Sequence, residues 1–235
     1  MCTSYGASWQ SKNEYIGEEL EALGKALGHK TSLTDKVITT NAAIEGQRDA
    51  FPKCDEMNAW FKGVAKACLN ADKELVTWQT PTGSTIWQEY REPITKRVVT
   101  YGMGGARYHR PSKMSDGNTR DTNRSSTSVR VGWGEVKESK TQTAFAANWT
   151  HSMDAAIIQM AFNDYQHSFF AVHDCGYAPA GCVDDMVTSL RKAYLAVVTS
   201  TAMEDLPASN GVKVAMPLKG DVNITDCLNS DYMFS

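Results

Sequence analysis

The chain has 235 residues, a formal net charge of −3 at pH 7, 42% hydrophobic residues and 22% charged residues. That length can bury one large core or two small ones, and the near balance of charge excludes a wholly polybasic or polyacidic protein. No apolar run reaches the length of a bilayer span, and "MCTSYGASWQ" lacks a basic-then-apolar leader pattern, so a soluble, non-secreted chain with no membrane partner is expected.

The first predicted element is a helix over "NEYIGEELEALGKALG", where Ile16, Leu20, Leu23 and Leu27 recur at helical spacing, with acids early and Lys25 late. A second helix is expected around "DKVITTNAAIEGQRDAF". The clearest helix is "PKCDEMNAWFKGVAKACLNADKEL": Pro52 suits its first turn, and Met57, Trp60, Phe61, Val64, Cys68 and Leu69 form one apolar stripe, read as core packing.

Two short β-prone runs in "TWQTPTGSTIWQEY" flank Pro81-Thr82-Gly83, which predicts a hairpin. From Arg91 to Arg130 the composition shifts to Arg91, Lys96, Arg97, Arg107, Arg110, Lys113, Arg120, Arg124 and Arg130 against Glu92, Asp116 and Asp121. The β-prone flanks "ITKRVVTYG" and "TSVRVGWG" enclose a polar middle, so a long basic hairpin is expected. A helical region then runs from about Thr141 to Tyr165, interrupted or kinked near "NWTHSMD". "SFFAVHD" reads as a buried strand, and "AGCVDDMVTSLRKAYLAVV" as a helix with Val183, Val187, Leu190 and Tyr194 inward. This order of elements argues for a single α+β unit.

Asp174 is the first candidate for chemistry. A carboxylate behind apolar strand residues and before Gly176 can hold a hard cation such as Mg²⁺, or it can simply make the turn. A two-metal centre needs further acids, and Asp184 and Asp185 fit better at a helix N-terminus. The basic hairpin has two readings as well, a β-ribbon for a DNA groove or a solvated loop. A metal triad of His151, His167 and His173 is weakly supported, because nothing in the periodicity converges them. Cys175 beside His173 is weak as a nucleophile for want of geometry. The six cysteines contain no C-x-x-C pair, so neither a structural zinc nor disulfides are expected.

Several segments resemble, in order, the C-terminal part of a single-subunit, phage-type DNA-directed RNA polymerase. "TWQTPTGSTIWQEYREPI" resembles that family's W-x-T-P-x-G-x-x-x-W-Q-E-Y hairpin, and "THSMD…FFAVHDCGY" its motif C region, where His-Asp follows an apolar strand. "DEMNAWFKGVAK" resembles the helix before the hairpin, "DCLNSDYMFS" the aromatic C-terminal foot, and "MCTSYG" the end of motif B.

The resemblance implies an α+β fold, the palm and fingers portion of a right-hand polymerase. Residues 1–76 would be fingers-side helices, 77–140 the hairpin and specificity loop, and 141–235 the palm with motif C and the foot. It implies that Asp174 is one of two metal-binding aspartates for Mg²⁺, with His173 beside it. Tyr5 and Gly6 would lie at the ribonucleotide-discriminating position, and His151 would approach the same nascent pair. Trp9 would stack on downstream template, although its spacing is one residue short. Arg91, Lys96, Arg97, Arg107, Arg110, Arg120, Arg124 and Arg130 would belong to the promoter-specificity hairpin. The family usually has Ser after the motif C aspartate, where this chain has Cys175, and the interval from His151 to Asp174 is shorter than usual.

The motif A aspartate and the motif B Lys and Arg that hold the triphosphate are not among these residues. The expectation is therefore the smaller subunit of a split polymerase in the cytoplasm of a phage-infected bacterial cell. Its partners would be a larger subunit, DNA template and promoter, RNA transcript and ribonucleoside triphosphates. The alternatives are an isolated fragment of a single-chain enzyme, including one from an intein-interrupted gene for which Cys2-Thr3 would suit a junction, and a non-catalytic DNA-binding module.

Overall fold

The computed structural model describes residues 9–101, 112–113, 119–120, 124–230 and 233; for 99–101, 112–113, 119–120 and 124–126 the description covers backbone only. In chain order the elements are α1 (Trp9–Leu27), α2 (Leu33–Ala50), α3 (Pro52–Asn70), β1 (Val76–Gln79), β2 (Thr85–Gln88), β3 (Arg91–Tyr101), β4 (Ser112–Lys113), β5 (Thr119–Arg120) and β6 (Arg124–Val136). They continue with α4 (Glu138–Asn163), β7 (Phe170–Val172), β8 (Cys175–Tyr177), α5 (Val183–Val198) and α6 (Ala202–Ser209). The mixed helix and strand content fits the expected α+β class. Two compact units result, residues 90–137 and the remainder of the chain.

In the larger unit, α1 and α2 form an antiparallel pair, with Thr40 Oγ1 donating to Asn13 Oδ1 at 3.1 Å and Lys36 paired to Glu21. Gly28, at φ 69°, ends α1 and lets the His29 N–H bond back to the Gly24 carbonyl at 2.8 Å. A Cβ on Gly24 would stand 2.7 Å from the His29 carbonyl oxygen, so this return of the chain requires glycine. A capping box opens α2, with the Asp35 N–H donating to Ser32 Oγ at 3.1 Å and the Ser32 N–H to Asp35 Oδ2 at 2.8 Å. The expected leucine stripe of α1 is not its buried face. Gly17 and Gly24 are buried, while Leu23 and Leu27 are exposed. The physical reason is close approach: glycines admit α2 and Thr31 against α1, and the leucines turn away.

The α3 stripe is buried nearly as its periodicity predicts, through Trp60, Phe61, Val64, Ala65 and Cys68. It meets Val76 and Trp78 of β1, Phe145, Ala146 and Trp149 of α4, and Leu206 of α6. Phe61 and Trp78 lie 5.4 and 5.3 Å from the Phe145 ring and 5.8 and 5.9 Å from Trp149, which makes an aromatic cage. β1 and β2 form the expected antiparallel hairpin, Trp78 opposite Ile86, with Gly83 at φ 84° in its turn.

Asn210 closes this core. It is 2% exposed, its Nδ2 donates to the Thr77 and Leu206 carbonyls at 2.6 and 2.9 Å, and its Oδ1 accepts the Thr77 N–H at 3.0 Å. The side chain thus pairs with β1 as a neighbouring strand would. Asn210→Leu leaves those groups unmatched, and unfolding of the purified chain is expected to show a loss of about 3 kcal/mol. An Asn210→Leu chain as stable as wild type would refute that role.

α4 runs unbroken from Glu138 to Asn163, without the kink expected at "NWTHSMD". The polar side chains there bond within the helix or to its neighbours. Thr150 Oγ1 donates to the Ala146 carbonyl at 3.0 Å and Ser152 Oγ to the Trp149 carbonyl at 2.7 Å, while Ser152 accepts Trp78 Nε1 at 2.9 Å. The inward face of α5 is Met186, Leu190, Ala193 and Val197, one step around from the expected set. Only Leu190 is common to both.

In the smaller unit β3 and β6 form the expected long antiparallel ribbon, from Arg91 opposite Val136 to Tyr101 opposite Arg124. At 11 residues in β3, it extends about 35 Å. β4 and β5 form a further short antiparallel pair.

Candidate catalytic hairpin and basic ribbon

β7 and β8 pair antiparallel, Phe170 opposite Tyr177 and Val172 opposite Cys175, which leaves His173 and Asp174 as a two-residue turn. His173 adopts φ 55°, the left-handed conformation that such tight turns require. The turn projects both side chains, and both are exposed. The hairpin is fixed from below. A Cβ on Gly176 would stand 3.3 Å from both Met186 Sδ and Phe162 Cζ, so the strand backbone rests directly on a second core cluster, formed by Ala161, Phe162, Met186, Leu190 and Ala193. Phe169 stacks on Phe162 with ring centres 4.2 Å apart and planes 5° apart. The Tyr165 hydroxyl donates to the Cys182 carbonyl at 2.8 Å, tying the loop before β7 to the start of α5.

The strand is not buried as its sequence predicts. Phe170 is 63% and Val172 42% exposed in this chain. The core reaches the hairpin only from the Gly176 side.

Asp154 is a residue that sequence reasoning missed. It lies one turn after His151 on the same face of α4, and the "THSMD" spacing carries the signal. Burial holds its carboxyl above the usual range; the His151 charge opposes the shift and the Asp174 charge adds to it. Asp174, Asp154 and His151 therefore share one electrostatic neighbourhood. Among the described residues no group of three or more His, Cys, Asp or Glu is placed to hold a metal ion. Asp174 fits Mg²⁺ as one hard oxygen donor on a fixed turn, not as a complete site. The His151, His167 and His173 triad is likewise not assembled, and His167 Nε2 lies 3.2 Å from Asp185 Oδ2 at the start of α5.

Tyr5, Gly6, Arg107 and Arg110 lie outside the described residues, as do the side chains of Arg120 and Arg124. Trp9 opens α1 and donates from Nε1 to Asn41 Oδ1 at 2.9 Å. In the ribbon, Arg91 donates from Nη1 to the Gly134 carbonyl at 3.3 Å. Thr95 stands opposite Arg130, and Arg97 opposite Ser128, which puts Arg97 and Arg130 on one face and Lys96 on the other.

The family model described as DNA-dependent RNA polymerase matches residues 1–215. DNA-directed RNA polymerase 1, mitochondrial, of Arabidopsis thaliana is 24% identical over 250 residues, covering 100% of this chain and 23% of that protein. DNA-directed RNA polymerase 3, chloroplastic, of Nicotiana sylvestris is 24% identical over 244 residues, with the same two coverages of 100% and 23%. T7 RNA polymerase of Escherichia phage T7 is 28% identical over 224 residues, covering 84% of this chain and 22% of that protein. The chain thus spans under a quarter of the length of these relatives.

Proposed function

Because the chain belongs to the DNA-dependent RNA polymerase family, we propose that it supplies one catalytic aspartate to template-directed nucleotidyl transfer from ribonucleoside triphosphates. The observation that carries this reading is Asp174 at the tip of a two-residue turn, exposed and held by a hairpin whose backbone rests on Phe162 and Met186. A carboxylate in that position is fixed yet accessible to an ion and to a substrate phosphate.

In this reading Asp174 is a Mg²⁺ ligand, and His173 stands beside it in the turn. Bound Mg²⁺ would stabilise charge on the transferring phosphoryl group and lower the pKa of the attacking hydroxyl. Tyr5, Gly6 and His151 line the nucleotide position, with Trp9 toward the template. Arg91, Lys96, Arg97, Arg107, Arg110, Arg120, Arg124 and Arg130 belong to a promoter-reading ribbon whose width suits a DNA groove. Residues 1–76, 77–140 and 141–235 correspond to fingers-side helices, hairpin with specificity loop, and palm with foot.

Among the described residues Asp174 has no group of further acids placed with it to complete a metal centre, and we propose that a larger partner polypeptide completes it. It brings the second aspartate and the cations that grip the triphosphate, and the assembly also engages template, promoter and transcript. The likeness to T7 RNA polymerase supports action in the cytoplasm of an infected bacterium. Among the described residues no helix is long and apolar enough to cross a membrane.

A second reading, a DNA-binding module without chemistry, is favoured by the ribbon's forming a compact unit of its own. One experiment separates the two. The chain is assayed for promoter-dependent transcription alone and with the polypeptides encoded beside its gene, and activity is expected only in the mixture. Transcription by the chain alone refutes the split enzyme. DNA binding without transcription in any mixture favours the module.

A further inference from the structure

The β3–β6 ribbon carries a bulge. Ile94 stands opposite Gly132 but Thr95 stands opposite Arg130, so Val131 is an extra residue on β6. In a regular strand, residues three apart project to opposite faces. The extra residue shifts the phase, and Arg130 and Trp133 come to the same face, opposite Thr95 and Pro93. The Arg130 guanidinium carbon lies 4.3 Å from the Trp133 ring centre, a stacked cation–π pair. Trp133 nevertheless remains 56% exposed. Ile94 packs toward Gly132 and Gly134 on the other face, its Cδ1 and Cγ1 at 3.8 and 3.5 Å from where their Cβ atoms would be, so the residues flanking Trp133 do not crowd its ring. Arg97 lies on the same face as the pair.

We propose that Trp133 and Arg130 form a stacking platform for an unpaired base of single-stranded nucleic acid. The inference rests on the reading of the ribbon as a nucleic-acid contact and adds to it the strand state of the ligand. An indole stacks on any base that is free of its neighbours. A base inside a duplex is already stacked on both sides, so the platform discriminates against paired DNA. Arg130 orders the indole from one face and keeps in-plane N–H groups for a phosphate. The bulge is the device that makes the pair, since without it Arg130 and Trp133 would face apart.

The test titrates the full chain with oligothymidylate, oligouridylate and a DNA duplex of equal length. Trp133→Leu is expected to weaken single-strand binding about tenfold, while Trp133→Tyr restores most of it. Duplex binding should change less than about twofold, because paired bases offer no free face. A loss on one oligonucleotide alone supports the platform and assigns the strand as DNA or as RNA. In the unmodified chain, the oligonucleotide whose affinity Trp133→Leu lowers is expected to quench an indole emission that the Trp133→Tyr chain lacks.

Unchanged single-strand affinity in Trp133→Leu, an equal loss on duplex, or no such quenching each overturns the platform. Failure of the underlying ribbon reading looks different. In that case Lys96→Ala and Arg97→Ala leave duplex affinity and its salt dependence as they were.

Discussion

Asp174→Asn is expected to lower transcription by the reconstituted mixture about a thousandfold, on the scale of losing a group that stabilises transition-state charge. The substitution keeps shape and removes only the negative charge. Asp174 is exposed in its turn, and the β7–β8 hairpin rests on the core through Gly176, not through the Asp174 side chain. The thermal midpoint of the isolated chain is therefore expected to hold within a degree or two, as for surface substitutions generally. The two readouts belong together, because loss of activity with stability intact assigns Asp174 to chemistry and not to folding. A mixture containing Asp174→Asn that transcribes at the wild-type rate removes Asp174 from the site. A fall in activity matched by a fall in stability would instead make Asp174 a residue of the turn.

Much of this arrangement was legible where local pattern and burial agree. The α3 stripe, the β1–β2 hairpin around Gly83 and the β3–β6 ribbon all follow from spacing that the structure reproduces. The misreadings have a common cause, since periodicity gives a face but not what covers it. The apolar run before His173 predicts a buried strand, yet Gly176 and Phe169 meet the core while Phe170 and Val172 face outward. In α5 the apolar positions admit two neighbouring stripes, and Met186 with Ala193 won over Val183 with Tyr194 because Phe162 and Gly176 lie on that side. In α4 the cluster "NWTHS" resembles a break, but its hydroxyls bond to carbonyls of their own helix. Asp154 was hidden for a different reason. Its link to Asp174 runs from a helix to a hairpin turn, and no spacing rule in one sequence connects them.

Phe145→Ala is expected to lower the stability of the chain by about 4 kcal/mol, the usual cost of emptying an aromatic site in a packed core. Phe145 is 0% exposed and edge-packed against Phe61, with Trp78 tilted beside it, so its ring joins α3, β1 and α4 at one point. Neither rigid helices nor a tethered strand can collapse into the space, and for a chain of this size the loss corresponds to a midpoint lower by about 12 °C. Phe170→Ala is the informative contrast. The Phe170 and Tyr177 ring centres lie 5.7 Å apart across the hairpin, but Phe170 remains largely exposed, so its removal should leave the isolated chain's midpoint within about a degree. In the transcribing mixture the same substitution should weaken assembly, if the partner polypeptide covers the outer face of the β7–β8 hairpin. Calorimetry of both variants, alone and with the partner, reads this directly. Equal small losses from Phe145→Ala and Phe170→Ala would mean that the aromatic cage is not the centre of the core. A Phe170→Ala chain that assembles as tightly as wild type would mean that the proposed partner does not cover this face of the hairpin.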